Sequence, residues 1–100
     1  MSDIKAELTE NEIKVLELLG RLHISQHKNI NEASIRKKLP QQYHADLKKT
    51  IRSLISKGLL RRYRIENYSL NDKGKKIAEE LAKELRDRVY SGLNILLLLK

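Results

Sequence analysis

The residues best suited to chemistry in this 100-residue chain are its lysines and arginines, which are concentrated in the middle of the sequence. Residues 21–64 carry twelve of these side chains against two acids, a net charge of +10. Residues 1–20 carry a net charge of −3, and residues 65–100 carry +1. A basic block of this kind predicts a polyphosphate partner, with an anionic membrane surface as the weaker competitor.

Catalytic and metal-binding patterns are weak by comparison. His23 and His27 lie four residues apart, but the sequence suggests no third ligand nearby, so we interpret them as surface histidines. Nothing arranges Ser53, His44 and Asp46 as a nucleophilic site, and the chain has no glycine-rich phosphate loop or metalloprotease motif. The absence of cysteine excludes a disulfide or a Cys-ligated zinc site. We therefore expect no enzyme, no metal and no cofactor.

Hydrophobic spacing predicts the elements that position the cations. Ile13, Leu16 and Leu19 recur at helical spacing after Thr9, a predicted N-cap whose capping box is closed by Glu12. From residue 59 the period changes to two, which is typical of a hairpin. The expected order is helix 10–22, helix 32–39, a tight turn after Pro40, helix 43–57, strands 59–65 and 68–70 with a turn at Glu66-Asn67, and a helix from 72 onward.

This order and the segment SLISKGLLRRYRIENYSLNDKGKKIAEEL resemble the winged helix-turn-helix domain of transcriptional regulators, most closely the MarR and PadR types. The end of the third helix matches the family's Leu-x-x-x-Gly-Leu-hydrophobic signature from Leu54 to Leu60, with the glycine at Gly58. A second signature, Tyr-x-Leu-Thr-x-x-Gly, is matched by Tyr68, Leu70 and Gly74, with Asn71 in place of Thr. The wing is shorter than in many MarR proteins, and their long N-terminal dimerisation helix is missing.

The resemblance implies an α+β, mainly α, winged helix-turn-helix fold with a three-helix core, a two-stranded wing and a long C-terminal helix. Residues 1–75 would form the DNA-binding domain, and residues 76–100 would form a helix for dimerisation. Helix 43–57 would enter the major groove of double-stranded DNA, and wing 59–70 would lie on the adjacent backbone or minor groove.

The angular positions of residues on helix 43–57 separate its buried face from its outward face. Leu47, Ile51 and Leu54 share one stripe, whereas Lys48, Lys49 and Arg52 point away from it. An α-helix fits the major groove, where basic side chains can contact guanine and small ones let the backbone approach. A solvated helix face is the alternative interpretation. The predicted DNA-binding residues are Arg36, Lys37, Lys38, Gln41, Gln42, Tyr43, Ala45, Lys48, Lys49, Arg52, Ser53, Arg62 and Arg64.

Alternation along the wing divides its three arginines between two faces. Arg61 shares a side with Leu59, Tyr63 and Ile65, so we expect that side to lie over the edge of the core. Arg62 and Arg64 share the opposite side and are the better candidates for phosphate or minor-groove contacts, with salt bridges as the alternative.

The last segment, SGLNILLLLK, would coat a helix with apolar side chains nearly all round. Packing against the first helix is one explanation, and a membrane-surface anchor is a distant one. Because the first helix offers only one apolar stripe, we expect a homodimer instead. Its predicted interface residues are Leu85, Val89, Leu93, Leu96 and Leu97.

The function expected from the sequence is sequence-specific DNA binding by a homodimeric transcriptional regulator. Alternatives are a winged-helix adaptor that binds an acidic protein and a non-specific architectural DNA-binding protein. The N-terminal residues lack the basic start and apolar run of a signal peptide, and no apolar run is long enough to span a bilayer. We therefore expect a cytoplasmic protein without a membrane partner.

Overall fold

The computed structural model describes the backbone of residues 7–98 and the side chains of residues 7–89. This part of the chain is α+β and mainly helical, with four α-helices and a small antiparallel sheet, as the sequence predicted at that level. The order is compatible with a winged helix. The elements are α1 (Glu10–Arg21), β1 (Ile30–Asn31), α2 (Glu32–Lys38), a 3₁₀ turn (Gln41–Tyr43), α3 (Leu47–Ser56), β2 (Leu60–Arg64), β3 (Asn67–Leu70) and α4 (Asp72–Leu98).

Helix α1 begins at the predicted capping box. The Thr9 hydroxyl accepts a hydrogen bond from the Glu12 amide at 3.2 Å, and the Glu12 carboxylate accepts one from the Thr9 amide at 2.9 Å. At its other end, His23 adopts φ 58° and its amide bonds the Gly20 carbonyl at 3.1 Å. The helix therefore ends in a left-handed turn at a residue that is not glycine.

Helix α3 is shorter than the predicted helix 43–57. Tyr43 and His44 form i→i+3 bonds in the 3₁₀ turn, and regular helix starts only at Leu47. Side-chain contacts hold this turn, since the His44 ring lies 2.8 Å from the Leu39 carbonyl and Arg36 donates to the His44 carbonyl at 2.9 Å. Burial of the Tyr43 ring at 6% exposure fixes its position. Tertiary packing thus replaces the first helical turn.

Gly58 ends α3 as predicted. Its φ is 75°, and its amide bonds the Ile55 carbonyl at 3.0 Å, while the Leu59 amide bonds the Leu54 carbonyl at 3.1 Å. This pair of bonds is the Schellman motif, which satisfies two carbonyls at the helix end. It turns the chain directly into β2.

The sheet has three strands in the order β1-β3-β2, whereas the sequence predicted two. Strand β1 pairs Ile30 with Tyr68 and Asn31 with Asn67, and at two residues it is too short to give a period. The hairpin turn also lies one residue earlier than predicted. Asn67 already pairs with Arg64, and Glu66 occupies the turn with φ 61°.

The predicted core face of β2 is wrong. Leu60 pairs with Leu70 and is 1% exposed, so the face that contains Leu60, Tyr68 and Leu70 packs on the core. Tyr63 and Ile65 are 49% and 87% exposed. Leu59 is buried as well, at 0% exposure, but it precedes the strand, so the alternation begins at Leu60. An irregularity in the register between Arg62 and Arg64 breaks the alternation again farther along.

One core joins α1, α2, α3, the sheet and the first half of α4. Its fully buried side chains include Leu16, Leu19, Ile35, Leu47, Ile51, Leu54, Leu59, Leu60 and Leu70, and Ile77, Ala78, Leu81 and Ala82 of α4 are also buried. The predicted boundary between residues 75 and 76 therefore falls inside a helix whose first half belongs to this core.

Helices α1 and α4 run side by side at close distance. A Cβ atom on Gly20 would lie 2.2 Å from the Ala78 carbonyl oxygen, so only glycine allows this approach. Farther along, Arg88 contacts Glu17 at 3.4 Å. Packing against α1 thus accounts for α4 as far as residue 88, whereas the side chains of the last segment, for which the alternatives were weighed, lie outside the described residues. No helix in the described residues could span a bilayer.

Candidate nucleic-acid interface

The outward face of α3 carries exposed cations above a buried inner face. Leu47, Ile51 and Leu54 are at most 1% exposed, which fixes the orientation of the helix. Lys49 and Arg52 are exposed and form no ion pair within the described residues. Ala45, in the turn before the helix, is also exposed. This part of the predicted surface has the small and basic side chains that an approach to DNA would need.

Lys48, in the first turn of α3, is engaged by a buried carboxylate. Its ammonium lies 2.8 Å from Glu32 Oε2 and 4.0 Å from Glu66 Oε1. Glu32 is 7% exposed and also contacts Arg36 at 3.7 Å and the Tyr68 hydroxyl, which donates to it at 3.3 Å. One carboxylate thus joins α2, α3 and β3.

These contacts determine the charge states in the cluster. Burial alone would raise the pKa of Glu32, but the hydrogen bond and charge of Lys48, the Tyr68 hydroxyl and the charge of Arg36 outweigh it and lower that pKa. The hydrogen bond and charge of Glu32 raise the pKa of Lys48. Burial, followed by the charge of Glu32, raises the pKa of Tyr68. Glu32 and Lys48 are therefore both charged at neutral pH.

A second buried carboxylate lies beside the last turns of α3. Glu12 is 1% exposed and accepts hydrogen bonds from Ser53 Oγ at 2.7 Å and Lys57 Nζ at 2.7 Å, besides the Thr9 amide. Burial would raise the pKa of Glu12, but these donors, Lys57 first, lower it below its usual value. Ser53, predicted on the outward face, instead faces α1.

The residues of α2 and the 3₁₀ turn divide into exposed and packed members. Lys37, Lys38, Gln41 and Gln42 are exposed. Arg36 is partly buried and bonded to the His44 carbonyl, as described above. Tyr43 is buried, and its hydroxyl donates to Glu10 Oε1 at 3.2 Å. Only the first four remain open to an external partner.

All three wing arginines are exposed, but their surroundings differ. Arg61 donates from Nε to Ser69 Oγ at 3.1 Å. Arg64 lies over the Tyr63 ring, 5.4 Å from its centroid, which is a cation–π contact. Arg62 pairs with Tyr68 across the hairpin and borders the same groove as Lys48 and Glu32. Partners across the hairpin share a face of the sheet, so Arg62, opposite Tyr68, and Arg64, opposite Asn67, lie on different faces. The prediction that these two arginines share one side is therefore wrong.

The predicted dimer residues lie at the limit of the described side chains. Leu85 is half-buried and Val89 is 53% exposed. The side chains of Leu93, Leu96 and Leu97 lie outside the described residues. Among those described, no three His, Asp or Glu side chains converge on a metal position.

Sequence reasoning missed the two carboxylates that organise the site. Glu12 was recognised only as a capping residue, and Glu32 only as the first residue of a helix. A signal was present, because a carboxylate in the first turn of a helix is stabilised by backbone amides and the helix dipole and can tolerate burial there. The sequence did not indicate which lysine either glutamate binds, because Lys48 lies 16 residues after Glu32 and Lys57 lies 45 residues after Glu12.

The candidate site consists of exposed cations on three elements, of which α3 is fixed by its buried inner face. Lys37 and Lys38 lie at the end of α2, Lys49 and Arg52 on α3, and Arg62 on β2. Such a surface can bind anionic oxygens. Comparisons of the chain with protein-family models, curated proteins and solved structures found no match.

Proposed function

We propose that the chain binds double-stranded DNA as a winged helix-turn-helix protein, with α3 in the major groove. The observation that carries the proposal is the outward face of α3, where Lys49 and Arg52 are exposed and have no ion-pair partner in the described part of the chain. Their charges are available to phosphates or to the acceptor atoms of guanine. The buried leucines beneath them keep that face outward.

Cations on both sides of α3 support the same proposal. Lys37 and Lys38 end α2, the helix that crosses the DNA backbone in helix-turn-helix docking, and both are exposed. On the hairpin, Arg62 and Arg64 are both exposed, and Arg62 borders the same groove as Lys48. These side chains would contribute affinity for the backbone rather than a choice of sequence.

The specific form that we propose is a cytoplasmic, homodimeric transcriptional regulator. Leu85 and Val89 begin a row of apolar residues at intervals of four, continued in the sequence by Leu93 and Leu97. Pairing of two α4 helices along this row would cover it. Two-fold symmetry would then favour an inverted-repeat site with half-sites about one helical turn, roughly 34–36 Å, apart.

A non-specific architectural DNA-binding protein is the second candidate, and one observation favours it. One of the side chains predicted to approach bases, Ser53, is turned inward and bonded to Glu12, and Lys48 has given one of its three donors to Glu32. Lys49 and Arg52 then remain as the charged side chains on that face without ion pairs among the described residues. Fewer side chains free for bases means weaker discrimination among sequences.

DNA binding is tested by fluorescence anisotropy with a labelled duplex at several salt concentrations. We expect binding that weakens steeply with salt, with a slope of log K against log salt of about −0.9 for each phosphate neutralised. Lys37→Ala should reduce the magnitude of that slope by about one contact. Lys83→Ala, which removes an exposed lysine from α4, is the matched control and should leave the slope unchanged. Absence of binding at low salt would refute the proposal.

Selection of bound duplexes from a random library separates the two candidates. Enrichment of a defined inverted repeat supports a regulator, whereas an unchanged library supports an architectural protein.

Mass measurement in solution tests the dimer. Val89→Lys should convert the dimer to a monomer without unfolding, because the Val89 side chain is already 53% exposed. A monomeric wild type would remove the symmetric form of the proposal.

A further inference from the structure

Lys48 differs from the other cations of α3 because its ammonium is held in place before any partner binds. Glu32 Oε2 lies 2.8 Å from Lys48 Nζ, and the carboxylate is itself fixed by burial and by the Tyr68 hydroxyl. By contrast, Lys49 is exposed and lacks an ion pair in the described residues. Of the three cations of α3, Lys48 is thus the one whose charged group is held by a carboxylate.

The ammonium of Lys48 retains hydrogen-bonding capacity. A lysine ammonium has three N–H donors, and Glu32 takes one of them. Glu66 Oε1, at 4.0 Å, is beyond hydrogen-bonding distance. The Lys48 side chain is 61% exposed, so the remaining donors can reach an acceptor outside the protein.

We propose that Glu32 is a positioning residue for sequence recognition, which holds the Lys48 ammonium so that its free N–H donors meet a base acceptor in the major groove. The inference rests on the proposed DNA-binding function. It assigns the choice of sequence in part to a buried residue that need not touch DNA. Arg62, which borders the same groove, would contact the nearby backbone.

Two physical effects make such a residue increase discrimination. A donor that is already ordered loses little conformational freedom on binding, but it gains a bond only where an acceptor occupies the right place. The carboxylate also repels phosphates near it, which weakens contacts that any sequence can make. Both effects increase the ratio of affinity for the selected duplex to affinity for a random one.

The test measures this ratio by anisotropy for wild type, Glu32→Gln and Glu66→Gln. The duplexes are the sequence enriched by library selection and a scrambled version of it. Glu32→Gln should lower the ratio by about fivefold or more, the least that a good side-chain contact to a base contributes. Glu66→Gln makes the same change in net charge beside the same ammonium but removes no hydrogen bond to it. It should leave the ratio within about twofold, so an equal fall in both variants would overturn the proposal.

A double-variant cycle tests whether Glu32 acts through Lys48. Lys48→Met should lower the ratio, and adding Glu32→Gln to it should lower the ratio no further. Additive losses would mean that Glu32 affects recognition by another route and would overturn the proposal. A rise in affinity for both duplexes with an unchanged ratio would also overturn it, because the carboxylate would then only compete with DNA for Lys48.

Folding and the proposed function are checked separately. Circular dichroism verifies that each variant is folded. If Glu32→Gln does not fold, Glu32→Asp replaces it, because aspartate keeps the charge but places the carboxylate one methylene farther from Lys48. Its ratio should fall as well, and an unchanged ratio would overturn the proposal. If the wild type binds no duplex at all, the DNA-binding function fails; if it binds and selects a sequence but the ratio survives Glu32 substitution, only the role of Glu32 fails.

Discussion

Replacing Lys57 by methionine should destabilise the fold by leaving the Glu12 carboxylate without its counter-charge. Glu12 is 1% exposed, and Lys57 lies 2.7 Å from its Oε1. Methionine keeps the length and apolar stem of lysine, so the change removes the ammonium with little effect on packing. The carboxylate would keep its bonds from the Thr9 amide and the Ser53 hydroxyl. The substitution therefore removes the counter-charge of Glu12, together with one exposed bond from Lys57 to the Glu7 carbonyl at 3.2 Å.

The size of the effect follows from burial and from the bonds that remain. Breaking a buried ion pair by removing one partner costs about 3–5 kcal/mol. The Lys57 side chain is 28% exposed and Glu12 retains two donors, so we expect about 2–3 kcal/mol. For a domain of this size that is a large part of a total near 5–10 kcal/mol and a fall in Tm of roughly 10–20 °C.

Urea denaturation followed by circular dichroism measures this difference. Lys49→Met is the matched control, because that lysine is exposed without an ion pair in the described residues, and it should cost less than about 0.5 kcal/mol. Combining Glu12→Gln with Lys57→Met removes both charges while leaving an amide oxygen to accept from the Thr9 amide or Ser53, and it should recover part of the loss because no unpaired charge is left buried. If Lys57→Met costs no more than Lys49→Met, Glu12 does not depend on this partner and the reasoning is wrong.

Three further predictions concern the ends and contacts of the helices. The pKa of Glu12 is lower in the folded than in the unfolded protein, so its charge stabilises the fold above its unfolded pKa of about 4.3. This stabilisation is lost as pH falls through the folded pKa. In urea titrations below about pH 4, the stability difference between wild type and Glu12→Gln should therefore shrink. Gly20→Ala should cost about 3 kcal/mol or more in the same assay, because its Cβ would overlap the Ala78 carbonyl and force α1 and α4 apart. His23→Gly should raise stability by about 0.5–1 kcal/mol, since φ is 58° there; a loss in thermal melts would contradict a strained left-handed turn.

The elements that could be predicted from sequence are those with strong local signals. Thr9 and Glu12 mark the start of α1, and Gly58 marks the end of α3, because caps depend on residues close in the chain. The start of α3 was misplaced for the opposite reason. Tyr43 is buried against distant parts of the fold, and its packing overrides the helical preference of the local segment.

The faces of β2 could not be predicted, because alternation was counted from Leu59 and assumed to continue through the hairpin, whereas Leu59 and Leu60 are both buried and the strand begins at Leu60. A register irregularity at Tyr63 moves the side chains after it to the other face of the strand. One extra residue is enough to produce such an irregularity, and it cannot be recognised in the hydrophobic period of the sequence. Strand β1 was missed since two residues, Ile30 and Asn31, are too few to show a pattern. Their pairing depends on β3, which is more than thirty residues later.

The site could be predicted as a region but not in its details. Counting charge located the basic surface, yet it treated every lysine of α3 as free. Lys48 and Lys57 are each bonded to a buried glutamate from another helix, a relation that only the tertiary structure brings together. Ser53 was assigned to the outward face by angle alone, although it lies near the edge where α1 approaches.

The two glutamates hold α3 at both ends by the same device. Glu32, the first residue of α2, binds Lys48 in the first turn of α3, and Glu12, in the first turn of α1, binds Lys57 just after its last. Each carboxylate lies where a helix dipole favours negative charge, and each is buried enough that its lysine cannot be replaced by water without cost. With both ends fixed, α3 cannot slide or rotate easily over its leucines. The cations between those ends, Lys49 and Arg52, are therefore presented at a fixed height and angle, which is what recognition by a helix in a groove requires.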